Sequence, residues 1–288
     1  MVKYNYNETI GYLEIDPQFL AEGIQHAEKL GFNAIRIRTL NQNSGQKYDI
    51  DFSSFQDRLF LNRLIINDDF KIGKTLSVES LYTLKKLIHL QLNQPVFIDL
   101  SYLNQLESLY IKDDKKVKNL NSLTHLKDLL ISSAKEDSCL FLKGLNQLKE
   151  FRISGNIKDL KGAENLSDLE SLKITHSSKL IDIKALKTSL KLKKLHIEKC
   201  KLLSDFSFLE GNNAIKELFI DDLDSIKFIS SMSELEKINF WNCKDGDMTP
   251  LLELKSLKQI NFYPNKKHYS HTIEEIIKIT GAKRGRNA

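Results

Sequence analysis

Residues 166–183 read LSDLESLKITHSSKLIDI. Leu166 and Leu169 stand six and three positions before Leu172, and Ile174 stands two after it. A spacing of two is that of a strand with one buried face. A spacing of three suits a 3-10 turn or an irregular return better than a long α-helix. Ile183 then lies twelve positions before Leu195, where the same ruler begins again.

Moved along the chain, the ruler fits at Leu64, Leu90, Leu109, Leu129, Phe151, Leu172, Leu195, Leu218, Ile238 and Ile260, ten copies spaced 19 to 26 residues apart. Two after each anchor stands Ile66, Leu92, Ile111, Ile131, Ile153, Ile174, Ile197, Ile220, Phe240 or Phe262. Twelve before it stands Phe52, Val78, Phe97, Val117, Cys139, Leu160, Ile183, Phe206, Ile226 or Met248. Neither column holds a charge, whereas Arg58, Ser189 and Asn212 interrupt the column six before the anchor. Each unit is thus one short strand, a turn and a 3-10 or irregular return. A single unit cannot bury its apolar side, so neighbours must stack into a continuous core.

This pattern resembles the leucine-rich-repeat family, and within it the short-repeat, internalin-like type, over roughly residues 52–265. The resemblance implies an α/β solenoid: a curved stack with one parallel sheet on its concave face, a short 3-10 or irregular convex side, and helical caps at both ends. The family also places Asn or Cys five after the anchor, where the side chain serves turn backbone that burial would leave unpaired. Here those positions are Asp69, Pro95, Asp114, Ala134, Asn156, Ser177, Cys200, Leu223, Cys243 and Asn265, a ladder broken at Pro95, Ala134 and Leu223.

The ends divide accordingly. Residues 1–51 form an N-terminal cap: a helix over 17–30 with Asp16 as N-cap and Pro17 in its first turn, a first strand over 33–38, and a polar exposed loop over 39–49. Residues 52–265 form the ten-repeat solenoid, and residues 266–288 a cap helix with a frayed basic tail carrying Lys283, Arg284 and Arg286. One continuous structural unit is expected.

The 288 residues are 41% hydrophobic, too apolar for a disordered chain. Their 43 Lys and Arg against 38 Asp and Glu give a net charge of +5, too slight and too dispersed to mark a nucleic-acid binder by itself. No run of 18 apolar residues occurs, and the first residues lack a signal-like apolar stretch, so a cytoplasmic chain is expected.

Catalytic signatures are missing: no GxGxxG, P-loop, GxSxG or HExxH occurs. The repeat itself accounts for the three cysteines, since Cys200 and Cys243 fall on the turn position and Cys139 in an apolar column. His268 and His271 lack companions for a metal site, and Asp221, Asp222 and Asp224 lack the spacing and glycine of a calcium loop. No enzyme activity, cofactor or metal is expected.

Function is therefore sought on the face that leaves the core, where the residues one and three after each anchor project. Phe219, Trp241 and Tyr263 come from successive strands beside Asp221 and Asp222, and are expected to form one aromatic patch. Next to it lies a basic middle of Arg152, Lys173, Lys193, Lys194 and His196, and then a smaller apolar spot of Tyr110 and Leu130. Aromatic anchors of this kind dominate protein interfaces. The expected function is protein recognition by a monomer, its stand-alone bacterial-style architecture suggesting an inhibitor or immunity protein for a toxin. Nucleic-acid binding through the basic middle is the alternative. A C-terminal loop or the cap helix folded back over the rings is the bland one.

Overall fold

A computed structural model of the chain describes residues 1–41, 45–112 and 115–285. The chain divides into two compact units, Met1–Ser132 and Ser133–Ala288.

The first unit opens on an antiparallel hairpin of β1 (Tyr4–Asn7) and β2 (Tyr12–Ile15), which sequence reading did not anticipate. The expected helix over 17–30 starts as a 3-10 turn, Pro17–Phe19, capped by the Asp16 carboxylate, and becomes α1 (Leu20–Leu30) before Gly31 ends it in the left-handed region. Then come β3 (Ala34–Ile37), β4 (Lys47–Asp51), β5 (Arg63–Ile66), β6 (Lys71–Leu76), β7 (His89–Leu92), β8 (Ile98–Asp99), β9 (Ser108–Lys112), β10 (Val117–Lys118) and β11 (Asp128–Ala134). The sheet of this unit runs β1-β2-β3-β5-β7-β9-β11, parallel from β2 onward. Two small parallel pairs, β4 with β6 and β8 with β10, lie on the returning chain. The expected loop over 39–49 is therefore partly strand, because backbone pairing to Lys71–Leu76 needs no apolar side chains; its residues 42–44 lie outside the described ones.

The second unit holds β12 (Glu150–Gly155), β13 (Ser171–Thr175), β14 (Lys194–Glu198), β15 (Glu217–Leu223), β16 (Lys237–Cys243), β17 (Gln259–Phe262), the helix α2 (Ile273–Thr280) and β18 (Lys283–Arg284). Sheet order follows chain order, and every pair is parallel. The basic tail is not frayed at Lys283 and Arg284: both pair with β17, and Arg284 reaches Glu274 on α2. Arg286 lies outside the described residues.

The anchors and the residues two after them are buried in every copy. Most returns begin with a side chain that accepts from the backbone two residues on. Asp51, Asp159, Asp182, Asp205 and Asp247 do so at 2.7–3.0 Å, and Ser225 does the same. The chain then makes a 3-10 turn such as Lys184–Thr188, Lys227–Ser231 or Thr249–Glu253. The column twelve before the anchor holds at Phe52 in the first unit, is half-buried at Val78 and Val117, and fails at Phe97. Phe97 is 56% exposed beneath Lys118, while the adjacent Ile98 turns inward, one residue out of register after Pro95.

Turn positions behave in two ways. His176 and Lys199 take left-handed φ of 54° and 56° just before Ser177 and Cys200, which ends β13 and β14 at five residues. Asp222 and Asn242 instead stay paired to each other, with Leu223 paired to Cys243. Hence β15 and β16 run to seven residues, under the expected aromatic patch.

Candidate functional site

In the second unit the anchors point inward and pairing is in register, so residues one after the anchor form a row across the sheet. Lys173 pairs with Arg152 and with His196, then Phe219 with His196, Asn239 with Phe219, and Asn261 with Asn239. A second row, one before the anchor, runs Ser171, Lys194, Glu217, Lys237 and Gln259. Between the rows lies an open hollow of about 290 Å³.

The rings do not form the expected single patch. His196 and Phe219 stack at 4.2 Å with 10° between their planes, and Trp241 meets Phe219 edge-on at 5.5 Å. Covered on both sides, Phe219 is only 7% exposed, whereas Trp241 is 44% and Tyr263 68% exposed. Among the described residues Tyr263 touches no other ring. Helix α2 packs on β17, β18 and the Thr249–Glu253 turn, and Trp241 and Tyr263 stay open.

His196 Nε2 lies 3.1 Å from Glu198 Oε2. Burial beside Phe219 pushes the imidazole below its ordinary pKa; the hydrogen bond to Glu198 works against this and the Lys173 charge adds to it. Burial would raise the Glu198 carboxyl, but His196, Lys199 and Lys173 outweigh it and hold the acid low. The acidic residues near the rings are engaged as well. Asp221 accepts from the Lys199 amide at 2.7 Å, and Asp222 accepts from Asn242 Nδ2 at 2.6 Å.

The basic middle is partly neutralised, which sequence reading missed. Glu217 sits 3.6 Å from the Lys194 ammonium and 3.1 Å from that of Lys237, and Lys193 pairs with Glu170 at 2.7 Å. The signal was present in the row one before the anchor, where Lys, Glu and Lys follow one another. Lys173 is exposed and makes no ion pair among the described residues. Asn239 Oδ1 is buried beside the hollow without a hydrogen-bond partner among the described residues.

Tyr110 and Leu130 belong to the first unit, paired across β9 and β11. The Tyr110 hydroxyl donates to Asp128 at 2.5 Å, and the ring meets His89 edge-on at 5.1 Å. Both residues are half-buried. The same unit holds a cluster that sequence reading did not single out: Glu14, 4% exposed, lies 3.4 Å from Arg36 and from Arg38, and Arg38 reaches Asp69. It stayed hidden because β2 was not recognised as a strand.

All three cysteines are buried and free. Burial pushes the thiols of Cys139, Cys200 and Cys243 up to about 12, 11 and 12, the reverse of an activated nucleophile. His268 leans on the Cys243 carbonyl and His271 on Ser270. Among the described residues no group of His, Cys, Asp and Glu is placed to hold a metal, and no helix is long and apolar enough to cross a membrane.

Neither a protein-family model nor a curated protein sequence matches the chain. Solved structures do. An internalin of Listeria monocytogenes, InlF, superposes with a TM-score of 0.58 at 20% identity, over 90% of this chain and 88% of its own. The fold is the leucine-rich-repeat solenoid of the internalin type. A second Listeria monocytogenes structure, internalin C2, agrees at a TM-score of 0.51 and 20% identity, over 68% of this chain and 89% of its own. At such identity the likeness carries the leucine-rich-repeat fold and not a shared ligand.

Proposed function

We propose that this leucine-rich-repeat chain is a non-enzymatic recognition protein that binds another protein on the open, concave face of its sheet. Trp241 carries the reading: a half-exposed indole, propped edge-on against Phe219, is held where the repeat calls for polar side chains. A large ring held by packing loses little entropy on binding and leaves much apolar area to cover. The ion pairs of Lys193, Lys194 and Lys237 weaken the case for a nucleic-acid partner, because their charge is already spent on carboxylates. The specific form we favour is a monomeric, cytoplasmic inhibitor or immunity protein of bacterial type that occludes a toxin.

The test is capture from native lysate with wild type and Trp241→Ala, followed by affinity measurement on the purified partner. The variant is expected to bind about 2 kcal/mol more weakly, and equal affinity would overturn the assignment. The inhibitor form requires that the captured protein be toxic and that the chain block it. Sedimentation of the free chain as a single copy checks the monomer.

A further inference from the structure

The hollow beside Phe219 is lopsided in charge. Four cations, Arg152, Lys173, Lys194 and Lys237, line it with one carboxylate, Glu217. Glu217 lies between Lys194 and Lys237, while Lys173, exposed on β13, makes no ion pair among the described residues. The opposite end is apolar, formed by Phe219 with Trp241 against it. Between the ends, on β14, lies His196, stacked on Phe219. Resting on the reading of this face as the binding surface, we infer that the hollow takes an extended acidic segment of the protein partner, its carboxylate on Lys173 and a large apolar side chain on the Phe219–Trp241 corner.

The strands set the spacing. Lys173 and Phe219 lie two strands apart, about 10 Å at roughly 4.8 Å per strand, and a segment in the extended polyproline II conformation advances about 3.1 Å per residue and returns to the same side every third residue. The acidic and apolar residues of the bound segment therefore stand about three positions apart. Lys173 is the selective group, since it is exposed and makes no ion pair among the described residues.

Trp241 is the only tryptophan, so its fluorescence reports directly on the site. The probes are ten-residue peptides of Gly and Ser carrying one Glu and one Phe three positions apart, beside a version with Gln in place of Glu. The Glu peptide is expected to reach half-saturation at a concentration roughly tenfold lower than the Gln peptide. That preference should vanish in Lys173→Ala and survive in Lys187→Ala, which removes a charge from the 3-10 return. Equal titration by the two peptides would overturn the acidic specificity while leaving the Trp241 capture result standing. Equal loss in the two lysine variants would reduce the preference to general charge and overturn the site. A ten-nucleotide single strand saturating below the Glu peptide would overturn a protein ligand in favour of nucleic acid. No response to any peptide at millimolar concentration would also overturn the inference, and the capture experiment would then judge the binding face separately.

Discussion

Phe219 and Trp241 touch each other, yet their truncation should read out in different experiments. Phe219 is sandwiched between His196 and Trp241, so Phe219→Ala opens a void and is expected to cost about 3 kcal/mol in urea denaturation. Trp241 leaves the core to Ile238 and Phe240, so Trp241→Ala should melt within a few degrees of wild type while losing partner affinity. His196 supplies a pH signature. Its pKa is lowered in the folded chain, so the unfolded chain binds the proton more readily, and stability is lost as pH falls from about 6.5 through the folded value. Subtracting the His196→Gln stability profile from wild type should isolate that loss, above the range where carboxylates such as Asp168 and Glu170 titrate. The thiols give a third reading. Cys139, Cys200 and Cys243 should react slowly with a thiol reagent in the native state and all together in denaturant, because burial disfavours each thiolate.

At the scale of elements, the repeat strands were legible because a period of two next to a period of three is hard to produce in any other backbone. The elements that sequence reading missed rest on backbone pairing with little apolar content. The hairpin of β1 and β2 hides in a run of Tyr and Asn, β4 in a polar stretch, and β18 in two cations. Gly155, at the end of β12, shows what the ruler cannot see. It sits at φ +134°, and a Cβ there would lie 2.3 Å from the Ala134 nitrogen. Gly155→Ala combines forbidden backbone with a clash against main chain that has no side-chain give. It should cost at least about 2 kcal/mol in denaturant, with the far-UV signal of the remaining strands retained below the transition.

Over the whole molecule, the ruler placed Arg152, Lys173, His196, Phe219 and Trp241 on the core-remote face, and the register aligns the first four across neighbouring strands. It could not say how those side chains would lean. Phe219 is covered by its neighbours, and Tyr263 stands apart from Trp241, because side-chain direction depends on what lies on the adjacent strand as much as on its own position. The clamp of Glu217 between two lysines is likewise a property of three strands taken together. Column-by-column reading reveals such groupings only when charge is tracked across columns.

The rows across β12 to β17 carry one residue per strand, and each further strand costs the chain a whole repeat. Distances along the proposed binding row are therefore counted in strands and cannot be adjusted gradually. Point substitutions can change what each place on the row attracts, but the length of the motif it measures changes only by whole steps. Removing the repeat that carries His196 would bring Lys173 and Phe219 onto neighbouring strands. The preferred gap between acid and apolar residue would fall from about three positions to one or two. A lineage of such chains would then vary in two separable ways: continuously in the chemistry they favour, and in jumps in the spacing they require.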